Sequence, residues 1–144
     1  MELVLLANAA ATLVMVGVIW FVQIVHYPLF GSVGAEFFTA YSEAHSRLTT
    51  YVVGPPMLLE AATTGLLILA RPGPVPIYLP LAGAILLTVV WISTAFLQVP
   101  GHRTLGLGFD LRAHHFLVAS NWVRTAAWSA RGILVLWMLA LTVR

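Results

Sequence analysis

The side chains best suited to chemistry in this 144-residue sequence are five histidines, His26, His45, His102, His114 and His115. Imidazole changes charge near neutral pH and is the commonest metal ligand. It suits Zn, Cu and Fe alike. A group of three could share a transition metal or a haem, and all five are candidate metal ligands. The competing expectation is that each sits at a helix end and meets water or a backbone carbonyl. The spacings match no named metal motif.

A second set lies deeper in apolar sequence. His114, Asn121, Arg124, Trp128 and Arg131 recur at intervals of seven, three, four and three, which puts them on one face of a helix. A polar stripe on an apolar helix should face other protein, not lipid. Arg124 lies near the helix start and could snorkel to headgroups. Arg131 falls nine residues into the apolar run, which at helical rise is roughly 13 Å. Glu60 falls eight residues into another run, roughly 12 Å by the same rise. A lone charge at mid-membrane costs about 2.5–3.5 kcal/mol or more. The matched depths therefore predict a buried Glu60–Arg131 pair. It could be a plain helix lock, or Glu60 could be a base, a proton carrier or a ligand below the histidines. Asn121, Arg124, Arg131 and Glu60 are the candidate catalytic residues. Gln23, Gln98 and Trp128 are the candidates for holding a cofactor.

The elements that must position these groups follow from composition. The chain is 60% hydrophobic and 8% charged, whereas soluble domains carry about 25% charged residues. The expected fold is all-α, a single integral membrane four-helix bundle. A span needs about 20 mostly apolar residues, and runs near 3–25, 52–70, 77–99 and 122–143 qualify. Pro55 and Pro56 fall in the first turns of the second span, where missing N–H groups cost little. The stretch 71–76, RPGPVP, is a turn. Two longer connectors, 29–51 and 102–121, mix aromatic with charged residues and suit amphipathic helices at the interface. Glu2 stands where a signal peptide would have cations, so the first run reads as a retained helix.

Both long connectors fall on one side of the membrane, and the 71–76 turn falls on the other. Arg47, Arg103, Arg112 and Arg124 lie on the connector side; Arg71 and Arg144 lie on the turn side. The bias of Arg toward the cytoplasm then places the connectors inside, in a bacterial inner membrane. The halves are similar: Gln23-x-x-His26-x-Pro28 ends the first span and Gln98-x-Pro100-x-His102 ends the third, compatible with a two-helix pseudo-repeat. There is no Cys, which excludes disulfides and thiolate metal sites. Seven Arg scattered among apolar runs make no nucleic-acid surface. Gly-rich phosphate loops, a Ser-His-Asp order and paired glycosidase carboxylates are absent.

The HYPLF end of the first span, the aromatic connector after it, QVPGHRTL after the third span and the tail NWVRTAAWSARGILVLW resemble the anthrone oxygenase-like family of small four-helix membrane proteins. The matching positions are His26, Pro28, Pro100, His102, Leu105, Trp122, Arg124 and Thr125. Family members often carry Asn where His102 stands, and a His where Val123 stands. The resemblance implies oxygenation of a flat phenolic substrate in some members, with no well-defined cofactor. The leading expectation is therefore a membrane oxidoreductase or oxygenase-like protein acting on a lipophilic substrate. The alternatives are an accessory subunit of a larger membrane complex, or a small transporter or proton pathway through Glu60 and Arg131. The expected partners are the lipid bilayer, a lipophilic small molecule, and a second copy or another membrane subunit.

Overall fold

The computed structural model of the protein describes residues 1–143, so Arg144 lies outside the described residues. The chain is a bundle of four helices: α1 (Glu2–Ser32), α2 (Ala35–Leu69), α3 (Tyr78–Leu105) and α4 (Leu111–Thr142). Each is long and apolar enough to cross a membrane. Their outer faces carry large apolar side chains exposed at mid-helix, among them Val14, Leu58, Ile85 and Ile133. Water would disfavour so much contiguous apolar surface, whereas lipid accepts it.

The helices are longer than the apolar runs. Residues 29–51 and 102–121 do not form separate helices lying at the interface. They extend the spanning helices, which leaves only Val33–Gly34 between α1 and α2 and a short loop before α4. The reason is visible on α2, where Phe38, Ser42 and His45 are buried while Glu36, Glu43 and Arg47 are exposed. That amphipathic face rests on protein, not on headgroups. Pro55 and Pro56 consequently lie well inside α2 and not in its first turns. Asp110 caps α4, its carboxylate accepting from the Ala113 N–H at 2.6 Å. At the opposite end, the Arg71 Nε–H donates to the Val75 carbonyl at 2.8 Å and fixes the Pro-rich turn.

Two π-turns interrupt the spans, at Val22–His26 in α1 and Thr94–Gln98 in α3. Each is followed two residues later by a proline, Pro28 and Pro100. Proline cannot donate to the carbonyl four residues back, and a π-turn widens the helix there and rotates the segment after it. The two turns are offset by 72 residues (94 − 22 = 72, 98 − 26 = 72). The prolines share that offset (100 − 28 = 72). The ends of α1 and α3 thus share a π-turn and a proline at one offset, which aligns His26 with Gln98 in place of Gln23 with Gln98.

α1 packs on α2 and α4, and α4 packs on α1 and α3; of the four neighbouring pairs, α2 and α3 touch least. Three apolar layers fill the centre. The layer at the turn end holds Leu5, Leu67, Val135 and Met138. The middle layer holds Met15, Ile19, Met57, Val90 and Trp128. The layer at the connector end holds Val22, Tyr27, Phe30, Phe38, Leu105 and Leu117. Buried polar groups lie between these layers.

Candidate functional site

The lower polar group is the predicted pair. Arg131 Nε lies 3.1 Å from Glu60 Oε1, and both side chains are essentially inaccessible. Thr12 donates to the same carboxylate oxygen at 2.6 Å, and Trp128 Nε1 donates to the other at 3.0 Å. Arg131 also donates to the Gly83 carbonyl, and more weakly to Thr12 and Thr64. Asn8 completes the group through Thr63 and Thr64, at 2.8 and 3.0 Å. Every charge here is met inside the bundle. Glu60 touches no cavity, and the arrangement ties α1, α2, α3 and α4 together at one level.

The upper group is built differently. Arg124 donates from Nε and Nη2 to Asn121 Oδ1, at 2.9 and 2.6 Å. It reaches the Tyr27 hydroxyl at 3.2 Å, Gln98 Oε1 at 3.3 Å and Thr94 Oγ1 at 3.4 Å. Asn121 in turn donates to Gln23 Oε1 at 2.8 Å, and Gln23 donates to the Val118 carbonyl at 3.2 Å. Gln98 Nε2 donates to Ser120 at 2.9 Å. All of these partners are neutral. Among the described residues the one ion pair joins Arg131 to Glu60, so Arg124 is a buried cation without an anion. Such a charge is costly unless something meets it.

The histidines do not form one ligand set. His26 Nε2 and His45 Nδ1 share a hydrogen bond of 2.7 Å, and the Tyr27 hydroxyl and His102 Nε2 share one of 2.8 Å. The His45 and His102 rings are 5.2 Å apart by centroid. His114 lies behind them, its Nε2 donating to the Tyr27 carbonyl at 2.8 Å. His115 is on the exposed face of α4. Among the described residues, no three His, Asp or Glu side chains stand where they could hold one metal ion. The expectation of a shared metal among His26, His45, His102, His114 and His115 finds no support in this arrangement. Phe30, fully buried, packs edge-on against the rings of both His26 and His45, with centroids 5.3 and 5.0 Å away, and holds the cluster as a packed layer.

A cavity of about 340 Å³ lies between the upper polar group and the middle apolar layer. That is within the range of small-molecule sites. Met15, Ile19, Met57 and Trp128 form its apolar part; Tyr27, His45, Gln98, His102 and Arg124 form its polar wall. Its rim residues Ser46, Thr50, Val99 and Arg103 are exposed and belong to α2 and α3. The mouth therefore falls between the two neighbouring helices that touch least. The Arg124 guanidinium stands 6.0 Å from the Trp128 ring centroid. His102 Nδ1 is buried with no protein partner.

Of the sequence candidates, His45, His102, Gln98, Arg124 and Trp128 meet at this cavity. Asn121 and Gln23 stand behind Arg124 and orient it. Glu60 and Arg131 lie deeper, and His114 and His115 are elsewhere. Sequence reasoning misses Tyr27, although it adjoins His26 and bridges His102 to Arg124. It misses Asn8 and Thr12 as well; their spacing of four in an apolar helix is the available signal. No family model matches the chain, and neither a curated protein nor a solved structure matches it.

Proposed function

We propose that the protein binds a flat lipophilic phenol or enol in the cavity between its four helices and promotes its oxidation by dioxygen. The observation that carries this reading is Arg124, a buried cation with only neutral partners, on the polar wall of a mostly apolar cavity. A ligand that forms an oxyanion supplies the missing charge. An aromatic body fits against Trp128, Met15 and Met57. The neighbouring imidazoles of His45 and His102 are the bases that can take the proton.

Loss of that proton makes the ligand electron-rich, so the ligand itself is the reductant of dioxygen. For an enolisable tricyclic ketone such as anthrone, one dioxygen is consumed, the reacting CH2 becomes a carbonyl and one water leaves. The protein contributes a base and a fixed cation, both of which favour the anion. The likeness of the HYPLF and QVPGHRTL segments to the anthrone oxygenase-like family points the same way. The excess of Arg at the connector end fits a bacterial inner membrane with the cavity toward the cytoplasmic side.

The test is oxygen uptake by the purified protein in lipid nanodiscs supplied with anthrone. Protein-dependent uptake with anthraquinone formation, lost in Arg124→Gln and in the His45→Gln/His102→Gln double variant, is the expected result. Uptake no faster than empty nanodiscs overturns the oxidative step. Uptake that survives all three substitutions overturns the assignment of the site.

A further inference from the structure

The cavity is separated from the outside of the bundle by a thin wall, and a pair of imidazoles crosses it. Val18, Val22, Thr49 and Val53 border the cavity on one side and a groove between α1 and α2 on the other. Phe21, Leu48 and Val52 of that groove are exposed, so it opens to the outside of the bundle and not to the interior. His45 borders the cavity, is buried, and makes its hydrogen bonds through Nδ1, to His26 at 2.7 Å and to Thr49 at 3.2 Å. His26 borders the groove and is only half-buried. The groups around the pair are Tyr41 stacked on His45, and Tyr27 and His102 edge-on or tilted to it. Arg124 lies beyond Tyr27. No carboxylate pairs with either imidazole among the described residues.

From this geometry we infer that His26 and His45 form a proton relay that carries the ligand's proton out of the cavity to the outer groove between α1 and α2. The inference rests on the phenol-binding reading of the cavity. The ligand O–H bond breaks as a bond forms to His45 Nε2. The His45 Nδ1–H passes to His26 Nε2, and the His26 Nδ1–H leaves to water or a headgroup at the groove. One proton enters the relay and one departs, so neither ring keeps a charge and the ligand oxyanion faces Arg124. A proton returning along the same rings when the product is reprotonated restores both tautomers. The relay gives the proton an exit on the α1–α2 side of the bundle, separate from the mouth between α2 and α3 by which the ligand enters. His26 does not touch the ligand; it acts through His45.

The probe is alizarin, a flat phenolic dye whose phenolate absorbs to the red of its phenol, mixed by stopped flow with the full chain in nanodiscs. In the parent protein the phenolate band should grow promptly after binding. In His26→Gln and His26→Ala its growth should slow by about a hundredfold, the size of a lost acid–base partner, with dye affinity unchanged. Imidazole in solution should restore the rate in His26→Ala, because the vacated position opens on the groove. Equal rates in the parent and in both His26 variants, with dye still bound, overturn the relay while sparing the cavity. Failure of the dye to bind the parent protein overturns the cavity reading, and the relay with it. Unchanged intrinsic tryptophan emission in the variants verifies that they are folded.

Discussion

Arg131→Met tests the physical role of the lower polar group most sharply. Met has nearly the length of Arg without its charge, so the packing beside Leu134 and Val135 is largely kept. Two costs compete. Arg131 makes four side-chain hydrogen bonds, to Glu60, Gly83, Thr12 and Thr64. Such bonds inside bilayers average about 0.6 kcal/mol, which gives about 2.4 kcal/mol together. The Gly83 carbonyl also belongs to a helix and keeps its backbone partner, so its share is smaller still. The other cost is the stranded Glu60 carboxylate, left with Thr12 and Trp128 as neutral donors. Breaking a buried ion pair by removing one partner costs about 3–5 kcal/mol. The charge term is the larger, so a loss in that range is expected. Adding Glu60→Gln removes the stranded charge while keeping an acceptor for Trp128 and an amide N–H that can donate to the Thr12 hydroxyl. The double variant should return to within about 1–2 kcal/mol of the parent. Reversible unfolding in mixed micelles, titrated with sodium dodecyl sulfate, reads these differences. If the double variant is no more stable than Arg131→Met, hydrogen bonding and not charge pairing holds the group, and the reasoning fails.

Two further outcomes rest on particular contacts. Arg124→Gln should leave stability nearly unchanged, because relief of a buried cation that has no anion offsets the lost hydrogen bonds to Asn121, Tyr27, Gln98 and Thr94. It should weaken binding of alizarin about tenfold to a hundredfold, the worth of a charge-assisted hydrogen bond of about 1.5–3 kcal/mol, as read by dye titration in nanodiscs. Gly132→Val should destabilise the bundle by about 1–3 kcal/mol. Even a bare Cβ at Gly132 would come within 3.1 Å of Val16 Cγ2, where α4 crosses α1; micelle unfolding measures the loss.

The four spans, the buried face of α4 and the Glu60–Arg131 pair are legible in the residues alone because each rests on a cost that sequence exposes. Low charge demands lipid, and a polar residue in an apolar helix demands a partner. Matched depth supplies that partner for Glu60. The helix ends are not legible in the same way. Phe38, Ser42 and His45 at spacings of four and three fit a helix lying on headgroups as well as one packed on α1. The orientation of the histidines is hidden for another reason. The π-turn before Tyr27 shifts the register that a regular helix would give, so His26 turns outward and Tyr27 inward. Counting residues places all five imidazoles at one end, yet only three of them cluster. Gln23 and Asn121 look like site residues because they are polar and buried. Their hydrogen bonds make them the support behind Arg124 instead.

Photolabelling with hydroxybenzophenone asks directly whether the cavity beside Arg124 takes a phenolic ligand. This phenol inserts preferentially next to methionine sulfur on illumination. Of the four methionines in the chain, Met15 and Met57 line the cavity, while Met138 is buried in the layer at the turn end and Met1 is exposed at the chain start. Labels on Met15 and Met57, located by peptide mass spectrometry, suppressed by alizarin and diminished in Arg124→Gln, are the expected result. Labels confined to Met1 and the lipid-facing side chains, unaffected by alizarin, would show that the cavity does not bind the phenol.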